Sequence, residues 1–498
     1  MIPPARLRDI VVVGGGAIGW MAAAALASFT ARGTRVTVIA CPVEEPDAQT
    51  AMPMHKDFHS LIGVDEHDML AASAGTMRLG TLFAGVDGTT YSHAFGDFGL
   101  DLDGVALYQI WLRARAAGEV PQILGGIDDY NLAAVAGKMG RFARPTAENR
   151  AMMDYSYHLD TVCYGAFLKA HAISRGVACM AGEIAKAERD GESGAVISIA
   201  LADGRTVMGD LFLDCSGGQA LLAEKLLGTS FESWNALFPC DRFVSLGTPA
   251  PADFPPLSGA AAQPPGWHCR IPLQHRTSHR LSFDTAHIDD EAALAQLPKL
   301  TGAQITDPVF AAQHVGRRRR PWSHNCIALG AAAGSIESVE ASEIDLARTG
   351  IMALISLMPD RGSMLAEADE FGRVMVRETE EHRDFALLHQ VVLENGEPIL
   401  RIAGEQRALP DSLAHRIALF RGRGRLSPDA GPWGPADWLA VMLGRGIIPA
   451  SWDPLADDIE PVRARQNFLR LAGLFRQSAE TMPRHADYIA HHCPAAKA

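Results

Sequence analysis

A glycine-rich turn near the start of the chain constrains the fold more than any other feature. Residues 14–19 read Gly-Gly-Gly-Ala-Ile-Gly, which fits the spacing G-x-G-x-x-G. The turn follows a β-branched run at residues 10–13 and opens a helix-forming run at residues 20–26. In that context the glycines permit a tight turn, backbone approach to a pyrophosphate and close helix packing. We therefore predict a dinucleotide-binding βαβ unit.

The side of this unit that would hold a ribose is unusual. The second predicted strand covers residues 35–39, and an acidic residue is expected directly after it. Ala40 and Cys41 occupy that place, and the nearest acids are Glu44 and Glu45. We expect the chain to bind the adenosine part of a dinucleotide weakly, or to bind it through other residues.

The remaining chain predicts an α/β protein of at least two parts. A first domain over residues 1–350 would carry the dinucleotide unit with an inserted substrate-side β-sheet at about 195–290. Residues 351–498 would form a helical C-terminal region. A hairpin is expected where residues 196–201 and 211–213 flank an Asp-Gly turn.

The net charge and the cysteine spacing argue against some classes of function and location for this chain. The net charge is −13, so phosphate backbones are repelled and nucleic acid is not expected as a partner. The eight cysteines lack C-x-x-C spacing, which is typical of a reducing compartment. Glycines interrupt the apolar stretch at residues 10–26, so we expect no membrane span and a cytoplasmic location. Residues 491–493 (His-His-Cys) are expected to be a loose tail.

Further blocks follow the glycine turn in a fixed order. Residues 91–96 read Tyr-Ser-His-Ala-Phe-Gly, and residues 155–160 read Tyr-Ser-Tyr-His-Leu-Asp. Residues 266–272 read Gly-Trp-His-Cys-Arg-Ile-Pro, and residues 333–342 read Ala-Gly-Ser-Ile-Glu-Ser-Val-Glu-Ala-Ser. From about residue 8 to 470 the chain resembles the flavin-dependent tryptophan halogenases.

The resemblance implies a Rossmann-type FAD-binding domain of the flavin monooxygenase kind, a second β-rich sheet and a helical C-terminal part. In that family a separate flavin reductase supplies reduced FAD, and oxygen and halide then give hypohalous acid. An essential lysine activates this acid beside the aromatic substrate, and a glutamate acts as general base or stabilises the charged ring. We therefore expect FAD, a flavin reductase and an aromatic small-molecule or peptide substrate, and a homodimer would be ordinary.

The resemblance also assigns candidate site residues by their register in the blocks. The candidate catalytic residues are Arg78 and Glu340. Ser342 and Glu343 fall where backbone amides would hold a halide. The candidate cofactor-binding residues are Gly14, Gly16, Ala17, Gly19, Trp20, Gly330 and Gly334.

Several positions depart from the family pattern. Arg78 stands where the essential lysine would be, and an arginine stays charged and does not readily form a chloramine. The flavin-loop block is altered at residues 48–53, and Cys269 replaces a tryptophan. The carboxylate of Glu343 would oppose a bound anion. Another amine, such as Lys56, would have to replace the lysine.

Three functions therefore stay open. The chain is a halogenase-type oxidoreductase acting on an electron-rich aromatic such as tryptophan or an indole, a catalytically silent relative that binds a flavin or a partner, or a halide-independent flavin monooxygenase. Arg78 separates the first function from the other two. Ala40 and the altered loop at 48–53 separate the second from the third.

Overall fold

The computed structural model describes residues 6–85, 88–263, 266–337, 339–340, 342–362, 364–402, 405–428 and 431–496. The strands in these ranges are β1 Asp9–Val13, β2 Arg35–Ala40, β3 Ala48–Thr50, β4 Thr76–Arg78, β5 Gly80–Ala84, β6 Thr90–Ala94, β7 Ser156–Asp160, β8 Ala178–Ala181, β9 Ile184–Arg189, β10 Val196–Leu201, β11 Thr206–Met208, β12 Leu211–Asp214, β13 Phe231–Ser233, β14 Arg242–Pro249, β15 Leu257–Gln263, β16 Gly266–Pro272, β17 Arg276–Phe283, β18 Val309–Ala312, β19 Gly316–Arg318, β20 Trp322–Ser323, β21 Cys326–Ala328, β22 Gly334–Ser335, β23 Val391–Glu394, β24 Glu397–Ile402 and β25 Glu405–Arg407. The α-helices are α1 Ala17–Phe29, α2 His55–Leu61, α3 Glu66–Ala72, α4 Leu107–Ala116, α5 Leu132–Lys138, α6 Thr161–Ser174, α7 Asp290–Thr301, α8 Glu343–Ser356, α9 Leu365–Leu388, α10 Asp411–Arg423, α11 Pro435–Gly444, α12 Pro461–Thr481 and α13 His485–His492.

The predicted βαβ unit lies at the centre of a six-stranded sheet with the order β20-β21-β12-β1-β2-β8. Strand β1 pairs in parallel with both β2 and β12. Its residues Ile10 to Val13 are all buried, as a central parallel strand covered on both faces requires. Helix α1 follows the turn directly and packs against α6. The α/β fold class and the strand–turn–helix context of the glycines are confirmed.

The second sheet differs from the predicted range. Its seven strands have the order β18-β14-β17-β16-β15-β5-β6, so it combines residues 80–94 with residues 242–312. The predicted hairpin also differs, because β10 pairs with β11 in a small separate sheet and β12 joins the parallel sheet. The sequence of β12 is Leu-Phe-Leu-Asp and is buried throughout, which suits a strand covered on both faces better than a hairpin edge.

A small sheet of three strands, in the order β3-β7-β4, carries the candidate residue Arg78. Strand β7 pairs with β3 on one side and with β4 on the other. Thr50 and Thr76 therefore both face His158 across the ladder. This arrangement brings the altered loop at residues 48–53 beside Arg78, the last residue of β4.

The C-terminal part is mostly helical, but it also contains the sheet β23-β24-β25. The expectation of a loose tail at residues 491–493 is wrong. Helix α13 ends at His492, Cys493 is 1% exposed, and its carbonyl oxygen accepts a bond from the Gln274 side chain. Within the described residues, no helix combines the length and apolar character that a membrane span needs. The division at residue 350 stays a prediction.

Candidate functional site

The glycine-rich turn joins β1 to α1 and lacks space for a side chain at two positions. Gly14 has a φ of +127°, and a Cβ there would overlap the backbone carbonyl of Cys215. A Cβ at Gly19 would overlap the carbonyl oxygen of Gly14. The turn conformation therefore requires the first glycine, and the contact of the helix with the turn requires the third.

Glu45, which contacts the N-terminus of α1, lines a cleft that is here called the helix cleft and that Arg280, Ser335 and Glu343 also line. The backbone N–H of Ala17 donates to both carboxylate oxygens of Glu45, at N···O distances of 2.8 and 3.1 Å. An internal carboxylate thus caps the helix end, where the backbone dipoles favour negative charge.

The other candidate residues of the turn lie around this helix end. The atoms nearest to a Cβ at Gly16 would be those of the Glu45 carboxylate. The indole N–H of Trp20 donates to the carbonyl oxygen of Gly15 at 3.0 Å, which fixes the first turn of α1. Gly16 thus faces the capping carboxylate, and Trp20 braces the turn from within the helix.

Gly330 and Gly334 also lie close to this unit. Gly330 has a φ of +61°, and a Cβ there would overlap the side chain of Ile18 in α1. A Cβ at Gly334 would lie 2.5 Å from the carbonyl oxygen of Gly316. Both glycines allow close backbone packing, and the first places its loop directly against α1.

A second cleft, here called the sheet cleft, adjoins the helix cleft, since Arg280, Ser335 and Glu343 line both. Trp267 and Cys269 of β16 form part of its wall. Burial raises the pKa of Glu343 to about 7, and the Arg280 guanidinium opposes that rise. An acid that titrates near neutral pH therefore lies where the two clefts meet.

Arg78 is completely buried at the end of β4. Its guanidinium Nη2 donates to Oε2 of Glu340 at 2.5 Å and to the hydroxyl of Thr81 at 2.9 Å. Its Nη1 donates to the carbonyl oxygen of Ala51 at 3.0 Å. The guanidinium also lies 4.9 Å from the centre of the Phe95 ring. Arg78 is therefore held in one position by partners on several sides.

Glu340 lies between Arg78 and His93. Its Oε1 is 2.9 Å from Nδ1 of His93, whose Nε2 is 2.8 Å from Oδ1 of Asp437. Burial alone would lower the pKa of His93, but the carboxylates of Glu340 and Asp437 raise it to about 9. Burial alone would raise the pKa of Glu340, but His93 and Arg78 hold it below its ordinary value. The neighbouring cations therefore keep Glu340 ionised and make it a weak base.

The two candidate halide residues begin α8. The backbone N–H of Ser342 donates to the carboxylate of Asp345 at 3.0 Å, and the Ser342 hydroxyl donates to the carbonyl oxygen of Thr50 at 2.6 Å. Glu343, the first residue of the helix, borders both clefts. The amide of Ser342 thus serves the cap of its own helix.

A third cleft of about 740 Å³, here called the outer cleft, lies next to the pair of Arg78 and Glu340. Phe95, which the Arg78 guanidinium faces, and Asp437, which binds His93, both line it. The outer cleft is therefore in direct contact with the residues that surround Glu340.

Lys56, the sequence candidate for a substitute amine, is occupied elsewhere. Its ammonium group forms an ion pair with Asp154 and lies 4.2 Å from the centre of the Tyr155 ring. The structure thus brings Arg78 and Glu340 together and keeps Lys56 in a separate ion pair.

Sequence reasoning missed His93 and Asp437 as neighbours of Glu340, and it missed Glu45 as the cap of α1. His93 lies inside one of the blocks that carry the family resemblance, so a signal for it was present. Asp437 is 344 residues away along the chain and has no comparable signal.

Comparison with known proteins decides the family. Residues 9–461 match the family model described as tryptophan halogenase. Tryptophan 6-halogenase SttH from Streptomyces toxytricini is 24% identical over 515 residues, which cover 97% of each chain. The chain belongs to the tryptophan halogenase family. It is similar to Xcc4156, a flavin-dependent halogenase from Xanthomonas campestris, with a TM-score of 0.93, 31% identity and coverage of 99% of this chain and 100% of that one. BrvH, a flavin-dependent halogenase from Brevundimonas sp. BAL3, gives a TM-score of 0.90 at 31% identity and covers 98% and 100%.

Membership of the tryptophan halogenase family makes the chain an FAD-dependent enzyme of the halogenase type. Flavin-dependent halogenases use FAD that a separate flavin reductase reduces. The residues present fit that cofactor, because Gly14 and Gly19 allow the tight turn before α1, and Glu45 at the N-terminus of that helix lines the helix cleft. The carboxylate of Glu45 already lies at that helix end.

Proposed function

We propose that this chain binds FAD in the joined helix and sheet clefts and acts, with reduced FAD and oxygen, on an electron-rich aromatic such as an indole in the outer cleft. The observation that carries the proposal is the position of Glu340. It keeps the register of the family's catalytic glutamate and is completely buried beside Arg78 and His93.

The partners of this pair connect the clefts. Ser258, which accepts a bond from Arg78 at 3.2 Å, and Thr50, whose hydroxyl binds the carbonyl oxygen of Glu340, line the sheet cleft. Phe95 lines the outer cleft. The buried pair of Arg78 and Glu340 therefore lies between the sheet cleft and the outer cleft. A small oxidant would have to pass this pair to reach an aromatic ring in the outer cleft.

The cofactor would be held by the glycine turn and α1. The absence of side chains at Gly14, Gly16 and Gly19 would let the backbone approach the pyrophosphate. Ala17 offers an N–H at the helix end, and Trp20 stabilises the turn. Bound FAD supplies the redox chemistry that activates oxygen. Gly330 and Gly334 would hold the loop that closes the cofactor cleft against α1.

Arg78 changes what the site does with an activated halogen. A lysine amine can lose a proton and take up the halogen, whereas a guanidinium stays charged and donates hydrogen bonds. Because Glu340 and Thr81 already occupy its donors, Arg78 would orient Glu340 more than it would carry an oxidant. We therefore propose weak halogenation compared with a lysine-bearing site.

The lining of the outer cleft indicates the substrate class. Its charged side chains are the carboxylates of Asp97, Asp154 and Asp437 and the guanidinium of Arg150. Because Lys56 pairs with Asp154 and His93 pairs with Asp437, the charges around this cleft nearly balance, which favours a neutral aromatic over a charged one.

The test supplies the purified chain with FAD, a flavin reductase, oxygen and chloride or bromide, and offers indole, tryptamine, tryptophan and indole-3-acetate. We expect little or no halogenated tryptophan, and more product from neutral indole than from indole-3-acetate. Mass spectrometry detects replacement of hydrogen by halogen. Folded Glu340→Gln protein, checked by circular dichroism, should lose the product because its neutral amide stabilises a cationic ring poorly.

Two results would change this proposal. Abundant halogenated tryptophan that depends on Glu340 would show that arginine suffices. No product from any aromatic would favour a catalytically silent protein.

A halide-independent monooxygenase is the second candidate, and the amide of Ser342 favours it because Asp345 already accepts its hydrogen bond. In halide-free buffer, this candidate requires a product that gains one oxygen atom from molecular oxygen while the other oxygen atom leaves as water. Isotopically labelled oxygen identifies such a product. Its absence would contradict this candidate and leave the first one in place.

A further inference from the structure

The N-terminus of α1 already holds an anion that belongs to the chain. Both oxygens of the Glu45 carboxylate accept the Ala17 N–H, at 2.8 and 3.1 Å. The same carboxylate fills the space beside Gly16 that a Cβ would enter. In a glycine-rich turn of this kind, the helix N-terminus and the space at the second glycine are the binding place of a pyrophosphate.

The loop between β2 and β3 brings Glu45 to this position. Strand β2 ends at Ala40 and β3 begins at Ala48, so residues 41–47 cross the mouth of the turn. Of the two acids in the loop, Glu44 is exposed and Glu45 is half-buried. Burial raises the pKa of Glu45, and the N–H groups of Ala17 and Ile18 act against that rise.

A second carboxylate adds to the negative charge in the helix cleft. Glu343 lines the same cleft, and the charge of Glu45 contributes to the raised pKa of Glu343. The guanidinium groups of Arg280 and Arg318 line the cleft as well. Arg318 is paired with Glu224, so Arg280 is the cationic partner that this lining offers an entering pyrophosphate, and the helix end itself is left to Glu45.

We propose that Glu45 is an internal competitor of the FAD pyrophosphate, and that its carboxylate must leave the N-terminus of α1 before FAD binds fully. One set of N–H donors cannot serve two anions in the same space, so the free energy of the Glu45 cap is subtracted from that of FAD binding. Glu45 thereby sets the affinity of the chain for its cofactor. The inference depends on FAD as the ligand, and it holds whichever reaction the enzyme performs.

The test measures dissociation constants of the complete chain for three ligands. FAD contains both the flavin and the pyrophosphate, ADP contains the pyrophosphate without the flavin, and riboflavin contains the flavin without the pyrophosphate. Glu45→Ala removes the competing group, Glu45→Gln keeps its shape without its charge, and Glu44→Gln removes the same charge from the neighbouring exposed position. Flavin fluorescence reports FAD and riboflavin binding, and calorimetry reports ADP binding.

We expect Glu45→Ala to bind FAD and ADP at least about tenfold more tightly than the wild type, which corresponds to about 1.4 kcal/mol. Glu45→Gln should lie between the two proteins, and riboflavin binding should be the same in all of them. Glu44→Gln should match the wild type for every ligand. These measurements need no turnover, so their outcome does not depend on the proposed reaction.

Three outcomes would overturn the inference. Unchanged or weaker FAD binding by both Glu45 variants would show that this side chain does not compete, and weaker binding would make it a ligand of the cofactor. An equal gain in Glu44→Gln would reduce the effect to general charge. No detectable FAD or ADP binding by any of the folded variants would show that something other than Glu45 blocks the cleft.

Discussion

At the scale of single residues, Arg78 has a structural role that is independent of the proposed chemistry. The guanidinium and the Glu340 carboxylate are both completely buried, so each charge depends on the other and on His93 for its stability. A buried ion pair contributes little net stability compared with apolar side chains, but the loss of one partner is costly. The pair therefore fixes the geometry of this region more than it strengthens the fold.

The pair can be tested by its stability. We expect Arg78→Met or Glu340→Gln alone to lower the free energy of unfolding by about 3–5 kcal/mol, because each leaves an unmatched buried charge. The double variant should lose clearly less than the sum of the two single losses. Urea unfolding measures all four proteins. Arg463→Met, which breaks the exposed pair with Asp103, is the control and should leave the free energy of unfolding nearly unchanged. Strictly additive losses would mean that the two buried groups do not depend on each other.

At the scale of secondary-structure elements, the close contact between α1 and the turn is a property of glycine. A Cβ at Gly19 would overlap the carbonyl oxygen of Gly14, which is backbone and has no rotamer to change. At Gly372 in α9, an added Cβ would meet no heavy atom within 4 Å among the described residues. The two helical glycines therefore provide a matched pair of positions.

We expect Gly19→Ala to lower the melting temperature and Gly372→Ala to leave it unchanged or raise it. The first substitution forces α1 away from β1, whereas the second gains up to about 1 kcal/mol of helix propensity. Differential scanning calorimetry of both variants and the wild type measures the shifts. Equal behaviour of the two variants would contradict the assignment of Gly19 to close packing.

The elements that the sequence predicts well are those whose signals are local. The strand, the turn and α1 lie within residues 9–29, so periodicity and glycine spacing identify them. The parallel pairing of β5 with β15 joins residues about 180 positions apart, and the Ala-rich sequence of β15 carries no local strand signal. In the site, register proposes Arg78 and Glu340 as functional residues, and that assignment stays a prediction, whereas the cap by Glu45 depends on how one loop folds back. Such contacts come from tertiary packing, for which single-chain patterns carry no signal.

At the scale of the whole molecule, one hydrophobic core extends through both predicted domains. It includes Leu7, Val12 and Trp20 near the start of the chain and Phe385, Trp438 and Ile489 near its end. The C-terminal helices therefore complete the same core that supports the parallel sheet. A helical region that shares its core with the sheet is not expected to fold by itself.

We expect one cooperative unfolding transition for the complete chain. Tryptophan fluorescence and far-ultraviolet circular dichroism should give the same urea midpoint, since the two predicted domains lose one shared core. Limited proteolysis of the native protein is the control, and it should not release a stable fragment that begins near residue 350. Two separate midpoints would show that the division at residue 350 marks independent folding units.

The stacking of Trp433 has an optical consequence. Its ring lies parallel to that of Phe385 at 3.9 Å, and it is 5.8 Å from the ring of His93. Because this indole is 1% exposed, its emission depends on the charges around it and not on bulk water. The emission wavelength of Trp433 would therefore follow the protonation of His93, and the difference spectrum between the wild type and Trp433→Phe would isolate this reporter from the other tryptophans of the chain.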